Sequence, residues 1–390
     1  MSGEAWDDLC EALRRARRLV VGAGVPDSPQ LRAEGFRYLT RFLQAGIRTC
    51  VEYADPEHPE FCRMIERHVT WGLDCPDCLY LYAPVRGGAR YRIHGALGSA
   101  NHVDVQVNHG HFAFGDISKW GTLASRATPE LAPGPDGRFE LWLSPEPRAG
   151  SWLPLDARAS FVLVRQYFAD WERELPADLV IEREGGEPTA PPPRTDEMAA
   201  RLERLVQWLD DGGALWEKMS RGLVEGSPNR LQVFRPPEGD ASGGLAGQAY
   251  GMGGFRCEPD EALLIEFRPP ACRHWSLSLA SWYWETIDYG TRQSSLNAHQ
   301  ARLDPDGVLR AVVAHRDPGF ANWLDPGGHR QGTLAARFLR ADSAPEVAIR
   351  SLPAADLGSA LPAGAPRVTP AERRAELARR RRAVWARYRQ

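Results

Sequence analysis

The stretch from His274 to His329 sets Trp275, Trp282, Trp284 and Trp323 among Glu285, Asp288, Arg292, Asn297, His299, His315, Asp317, Asn322, Asp325 and His329. Four of the chain's 13 tryptophans and four of its 10 histidines fall within it, which makes it the candidate site. Histidine changes charge near neutral pH without help, so His299 or His315 is the expected proton carrier, with Asp317 or Glu285 to orient it. Arg292 offers a planar fork to a carboxylate, phosphate or developing oxyanion. Trp282, Trp284 and Trp323 would wall an apolar ring or chain, with Asn297, Asn322 and the upstream Tyr250 as further substrate contacts. The chemistry this favours is acid and base catalysis, of lyase, hydrolase or isomerase type, on a small, partly apolar organic molecule.

Other chemistries have weaker support. His315-Arg-Asp317 has the spacing of a facial metal triad, with His299 or His329 as third ligand, but Pro318-Gly319 follows and Asp317 can simply shape a turn. No metal ligand is therefore assigned, and no cofactor is expected, a divalent metal at these residues being the alternative. GxSxG, Walker and HExxH patterns are absent. Cys75-Pro-Asp-Cys78 has no second CxxC to complete a zinc site and runs into a strand, whereas a redox pair opens a helix. Gly22-Ala-Gly24 lacks the third glycine and the preceding strand of a dinucleotide fingerprint. The alternative to an enzyme is a non-catalytic β-sandwich gripping a carbohydrate or other small ligand. A structural subunit is the third reading.

The elements that must hold these residues read as mainly β with helical additions, an α+β chain built on an antiparallel β-sandwich or jelly-roll-like core. Trp275 to Trp284 and Leu309 to His315 alternate large and small residues like strands with one buried face. Asp304-Pro-Asp-Gly lies between them, with Pro305 presetting φ and Gly307 free to adopt positive φ. Upstream, residues 4–20 and Leu31 to about Tyr53 carry helical apolar spacing. Cys78 to Val85 and Ala89 to His94 flank Arg86-Gly-Gly and read as a hairpin. In His102-Val-Asp-Val-Gln-Val-Asn, Val103, Val105 and Val107 face a core, while His102, Asp104 and Gln106 face away and form a second polar cluster with His109 and His111. Further strands are expected at Arg138 to Leu143, Ala159 to Phe168, Glu261 to Arg268, Thr333 to Leu339 and Glu346 to Leu352.

The domain reading is 1–185 for the N-terminal helices and first β-rich half, 186–228 for a Pro-rich linker and helix broken at Asp211-Gly-Gly, 229–355 for the half with the candidate site, and 367–390 for a C-terminal helix. Residues 236–254 hold seven glycines and read as a lid over a pocket. No internal repeat is evident. Thr369, Pro370 and Glu372 start the last helix, which has nine arginines from Arg367 onward and can dock Leu377, Val384, Trp385 and Tyr388 on the body or on another subunit.

A chain of 390 residues with 43% hydrophobic and 25% charged residues can bury a sizeable core. A formal charge of -3 gives no general pull toward nucleic acid or membrane, and neither is an expected partner. The N-terminus lacks a basic region and apolar run, and no stretch reaches the roughly 20 apolar residues of a span, so a cytoplasmic location is expected. Seven cysteines at irregular spacing fit reduced thiols. The expected partners are a small-molecule substrate and a further copy of the chain in a homo-oligomer.

Several runs taken together resemble a bacterial family, domain of unknown function 1214. They are Phe36-Arg-Tyr-Leu, Asp77-Cys-Leu-Tyr-Leu-Tyr-Ala-Pro, Tyr250-Gly-Met-Gly-Gly-Phe with Pro259-Asp-Glu-Ala-Leu, Trp282-Tyr-Trp-Glu-Thr-Ile-Asp-Tyr with Ser295-Leu-Asn-Ala-His-Gln, and Ala314-His-Arg-Asp-Pro-Gly with Asn322-Trp-Leu-Asp. The similarity spreads from about residue 31 to residue 340, and the last two runs are the most specific. The resemblance implies a β-rich sandwich with helical additions and no established reaction; Cys75 and Cys78 depart from the family's pattern.

Overall fold

A computed structural model describes residues 3–236 and 247–389. Nine strands form the first half: β1 (Cys62–Ile65), β2 (Cys78–Pro84), β3 (Tyr91–Ala96), β4 (His102–His109), β5 (Gly121–Ala127), β6 (Arg138–Ser144), β7 (Trp152–Pro154), β8 (Ala159–Tyr167) and β9 (Asp178–Arg183). Nine more form the second: β10 (Arg230–Phe234), β11 (Gln248–Arg256), β12 (Glu261–Phe267), β13 (His274–Ala280), β14 (Ser295–Asn297), β15 (Leu309–Ala314), β16 (Trp323–Leu324), β17 (Gln331–Leu339) and β18 (Ala348–Pro353). The five-stranded sheets run β1-β2-β8-β4-β5 and β10-β11-β17-β13-β14, and the four-stranded ones β7-β6-β3-β9 and β16-β15-β12-β18.

Adding nine to each strand number of the first half yields the strand order of the second, so the chain is an internal duplication. Even the exceptions repeat: β6 with β7, and β15 with β16, are the parallel pairs in otherwise antiparallel sheets. This corrects the expectation of no repeat. Its traces in sequence are the turns Pro135-Asp-Gly and Pro305-Asp-Gly before β6 and β15, and Trp152-Leu and Trp323-Leu as β7 and β16. The fold is mainly β with helical additions, as expected, but holds two sandwiches. The expected hairpin of β2 and β3 does not form. These strands lie in different sheets, and Arg86-Gly-Gly carries the chain across the sandwich.

Each sandwich has its own apolar core. Val103, Val105 and Val107 meet Leu141, Leu143 and Ile181 in the first; Leu277, Leu279 and Leu334 meet Leu263, Ile265 and Val313 in the second. The other faces of the five-stranded sheets meet the helices in a third core. Alternation of apolar and polar residues normally signals one wet face. Here the polar face of β4 is also buried, from His102 through Asp104, Gln106 and Asn108, because the second repeat and the helices cover it.

Helix Pro29–Gly46 continues to Glu52 through a widened turn, and its N-cap Ser28 accepts from Leu31 N. The mid-chain helix does not break at Asp211-Gly-Gly. Trp208–Gly212 form one wide turn, and helical structure runs on to Gly226, with Trp208 and Trp216 buried beneath it. From Gln248 the glycine-rich segment is strand β11, while residues 237–246 of the expected lid lie outside the described residues. Among the described residues no helix is long and apolar enough to cross a membrane.

The C-terminal helix Pro370–Tyr388 starts at a Thr369 and Glu372 capping box. It docks through a row of arginines at every seventh position, two helical turns apart. Arg373 donates to Phe320 O and Gln293 Oε1, at 2.6 and 2.7 Å, and lies over Trp323. Arg380 donates to Tyr289 O at 2.6 Å and lies over Trp171. Arg387 donates to Pro76 O at 2.7 Å and lies over Phe168. Val384 is buried in this seam, whereas Trp385 stays exposed.

Candidate functional site

Between the two repeats lies a cavity of about 290 Å³, close to the lower end of small-molecule sites. Its walls are aromatic: Trp71, Trp120, Trp216 and Trp284 line it together with Phe112 and Tyr80. Trp216 sits 5.7 Å from Trp284 and 5.6 Å from Trp71, centroid to centroid, and Tyr250 stacks on Phe234 at 6.2 Å. Two arginines line the same space, Arg165 at the seventh residue of β8 and Arg337 at the seventh residue of β17. The duplication thus contributes one guanidinium from each half.

The polar groups of this lining are incompletely met. Arg165 donates to Gln106 Oε1 and lies beside Asp104 on the neighbouring strand. Arg337 is 7% exposed and donates through Nη2 to Leu73 O at 2.5 Å, but its Nη1 is buried without a partner. Among the described residues no carboxylate lies within ion-pair distance of it. The indole N–H groups of Trp120, Trp216 and Trp284, and Gln248 Nε2, are likewise buried without partners, although Gln248 Oε1 accepts from Tyr167 OH at 3.0 Å. Native interiors leave few such donors, and each costs about 1–3 kcal/mol. Their concentration on one cavity's lining marks the site.

The backbone at its floor is strained as well. Trp284 and Leu73 adopt φ of 59° and 57°, and Leu73 N donates to Trp284 O at 2.8 Å. Left-handed backbone in bulky residues costs of order 1–3 kcal/mol each and clusters at ligand sites. Burial pushes the Tyr80 and Tyr167 phenols well above the usual range. The chemistry available is therefore cation, N–H donation and aromatic surface.

The residues singled out in the sequence are dispersed. Trp284 and Tyr250 line the central cavity. Glu285 and Arg292 line a second, polar cavity of about 290 Å³. There Glu285 accepts from Arg41 Nη1 at 2.8 Å and Thr70 Oγ1 at 2.5 Å, and its burial, opposed by Arg41, raises its pKa. Arg292 pairs with Asp325 at 2.8 Å. His299 stands 3.7 Å from Asp170 beside the C-terminal helix. His315 bonds Cys257 O at 2.8 Å; Asp317 accepts from Gly319 N and from Arg373, shaping the turn and holding the helix. Asn297 donates to Asp77 at 2.8 Å and caps His299 N and Gln300 N. Asn322 bridges Arg302 and Arg310 backbone, Trp323 lies under Arg373, and Trp282 is buried with its carbonyl accepting from Ser220. Arg292 thus lines the polar cavity and His299 a different one beside the C-terminal helix, while His315 lines neither. Among the described residues no three of His, Cys, Asp and Glu are grouped to hold a metal, and His329 pairs with Glu34 at 2.9 Å. Cys75 and Cys78 are buried free thiols, Cys75 pushed up to about 11 by burial.

Sequence reasoning missed Arg165, Arg337, Trp120 and Trp216. The signal that could have found the arginines is their matching place in two strands of one duplicated pattern.

Two segments, 82–170 and 254–343, match the model of a family of proteins of unknown function, DUF1214. An uncharacterised protein from Burkholderia cenocepacia of known structure is 32% identical, with a TM-score of 0.87, covering 91% of this chain and 98% of its own. The chain belongs to the DUF1214 family. The two DUF1214 segments span matching strands, β3 to β8 and β12 to β17, and so correspond to the two repeats. The VPA0106 protein from Vibrio parahaemolyticus is 12% identical over 87% of this chain and all of its own, with a TM-score of 0.48. No curated protein matches. DUF1214 membership carries no assigned reaction.

Proposed function

We propose that this DUF1214 protein binds a small molecule with an aromatic or alkyl body and one anionic group in the cavity between its repeats. The observation that carries this reading is Arg337, a buried cation with an unmet N–H and no carboxylate partner among the described residues, set in tryptophan walls. Burying an unpaired charge is costly, and an anionic ligand would supply the missing counter-charge. Arg165, from the other repeat, would hold the second edge of the same group. The volume, at about 30 Å³ per water-sized unit, admits roughly ten heavy atoms.

Recognition is favoured over catalysis in this cavity. Among the described residues no aspartate, glutamate or histidine lines it, and the tyrosines there with resolved shifts move away from neutrality. Titration of tryptophan fluorescence with arylalkyl carboxylates and with the amides of the same skeletons tests the proposal. The carboxylates are expected to bind at least tenfold more tightly. Equal affinity for acid and amide, or no response to either series, would overturn it.

A further inference from the structure

We infer that the polar cavity on the other side of the Trp284–Glu285 turn is a second, separate site for a small phosphate-class oxyanion, with Arg67 at its base and Arg37 at its rim. The partition between the cavities is two short segments. Thr70 and Glu285 face the polar cavity, whereas Trp71, Leu73 and Trp284 face the aromatic one. Thr286 N donates to Asp74 Oδ1 at 2.7 Å and Thr286 Oγ1 to Asp74 O at 2.8 Å, locking the two segments together.

Four guanidiniums line the polar cavity, those of Arg37, Arg41, Arg67 and Arg292, against three carboxylates, Glu34, Glu285 and Asp288. Arg37 and Arg41 share one face of helix Pro29–Gly46 by their spacing of four. The carboxylates are all engaged. Glu34 accepts from Gln30 at 3.1 Å and pairs with His329 at 2.9 Å. Glu285 takes Arg41 and Thr70, and Asp288 takes Thr291 Oγ1 at 2.5 Å and Gly290 N at 3.2 Å. The guanidiniums are less well served. Arg41 and Arg292 have carboxylate partners at 2.8 Å, but Arg67 reaches Asp288 only at 3.5 Å through Nη2, and its Nη1 is buried with no partner. Arg37 has no ion pair among the described residues. With Asp325 counted as the partner of Arg292, the charges balance, and what is left over is donor capacity on Arg67 and Arg37, whose forked guanidiniums suit a tetrahedral oxyanion. Gly290 makes room for this arrangement, since a Cβ there would collide with Arg67 Nη1.

The anion is either free or the phosphoryl group of a small metabolite. The test is calorimetric titration of the full chain with sodium phosphate, then with glycerol phosphate, at constant ionic strength and with sodium acetate as control. Phosphate is expected to bind, with affinity falling about ten- to a hundredfold in Arg67→Gln and in Arg37→Gln, the loss of one charged hydrogen bond each. The Arg337→Met variant, altered only in the aromatic cavity, is expected to bind phosphate unchanged, so failure of the central site and of this one are separable. Tighter binding of glycerol phosphate than of phosphate would identify the phosphoryl ester as the ligand type; the reverse, the free ion. Absence of phosphate binding to wild type at millimolar concentration overturns the inference. So does affinity unchanged in both Arg37→Gln and Arg67→Gln; the rim variant Arg37→Gln keeps the test open if Arg67→Gln does not fold.

Discussion

Replacing Arg337 with methionine should stabilise the ligand-free protein while weakening anion recognition. The side chain is 7% exposed, so the guanidinium carries most of the desolvation penalty of a buried ion, several kcal/mol after relaxation. Against this stands one strong hydrogen bond to Leu73 O, at 2.5 Å, worth about 1.5–3 kcal/mol for a charged donor. Methionine fills a similar length without a charge, so the balance favours the variant by about 1–2 kcal/mol. With an unfolding entropy of about 2.1 cal/mol/K per residue over 390 residues, this corresponds to a rise in Tm of about 1–3 °C. Scanning calorimetry of both proteins, stripped of ligand by unfolding and refolding, reads it directly. A fall of several degrees would refute the reasoning, because it would mean that the guanidinium is already satisfied within the protein and has no reason to recruit an anion.

Asp104 supplies a pH-dependent test. It is 3% exposed, and burial pushes its pKa up to about 7, with Arg165 and Arg340 opposing. A carboxyl whose folded pKa is raised stabilises below its unfolded value near 4, and that contribution is lost as pH rises through about 7. Asp104→Asn should therefore be more stable than wild type at pH 8 by up to a few kcal/mol in urea denaturation, with the difference shrinking toward pH 4; a pH-independent difference would contradict it. Arg380→Ala should lose about 2–4 kcal/mol, since it strips partners from Tyr289 O and Ser295 and exposes the Trp171 ring, and a loss under about 0.5 kcal/mol would show that the helix docks without its arginines. Of the seven free cysteines, Cys10 and Cys272 are partly exposed and the rest buried, so a disulfide reagent should modify two thiols promptly in the native protein and all seven in urea.

Much of the fold was legible because local rules decided it. Thr369-Pro-Ala-Glu reads as a helix start, and the alternating valines of β4 point into a sandwich as their period demands. The burial of the polar face of the same strand is not legible there, since a period-2 pattern reports which residues differ from their neighbours and not what lies opposite. What lies opposite is the second repeat, an element from the far half of the sequence. The site was hidden for the same reason. Trp284 and Tyr250 stood out by type, yet Arg165 and Arg337 look like ordinary polar positions until the two sandwiches are stacked. Conversely, the density of histidine and carboxylate between His274 and His329 arises from separate structural tasks. His315 ties a strand to Cys257, and Asp317 anchors the last helix. In that helix the apolar residues stand out as docking groups, whereas it is the arginines' spacing of seven that places Arg373, Arg380 and Arg387 on one buried seam.

The central claim is that a ligand's anionic group meets Arg337. Calorimetric titration of wild type and Arg337→Met with one arylalkyl carboxylate and its amide isolates that contact as a double-mutant cycle. A coupling of about 1.5–3 kcal/mol between guanidinium and carboxylate is the predicted result, the variant keeping only the weaker preference for the acid that Arg165 supplies. A coupling near zero, with the carboxylate bound equally by both proteins, would contradict it.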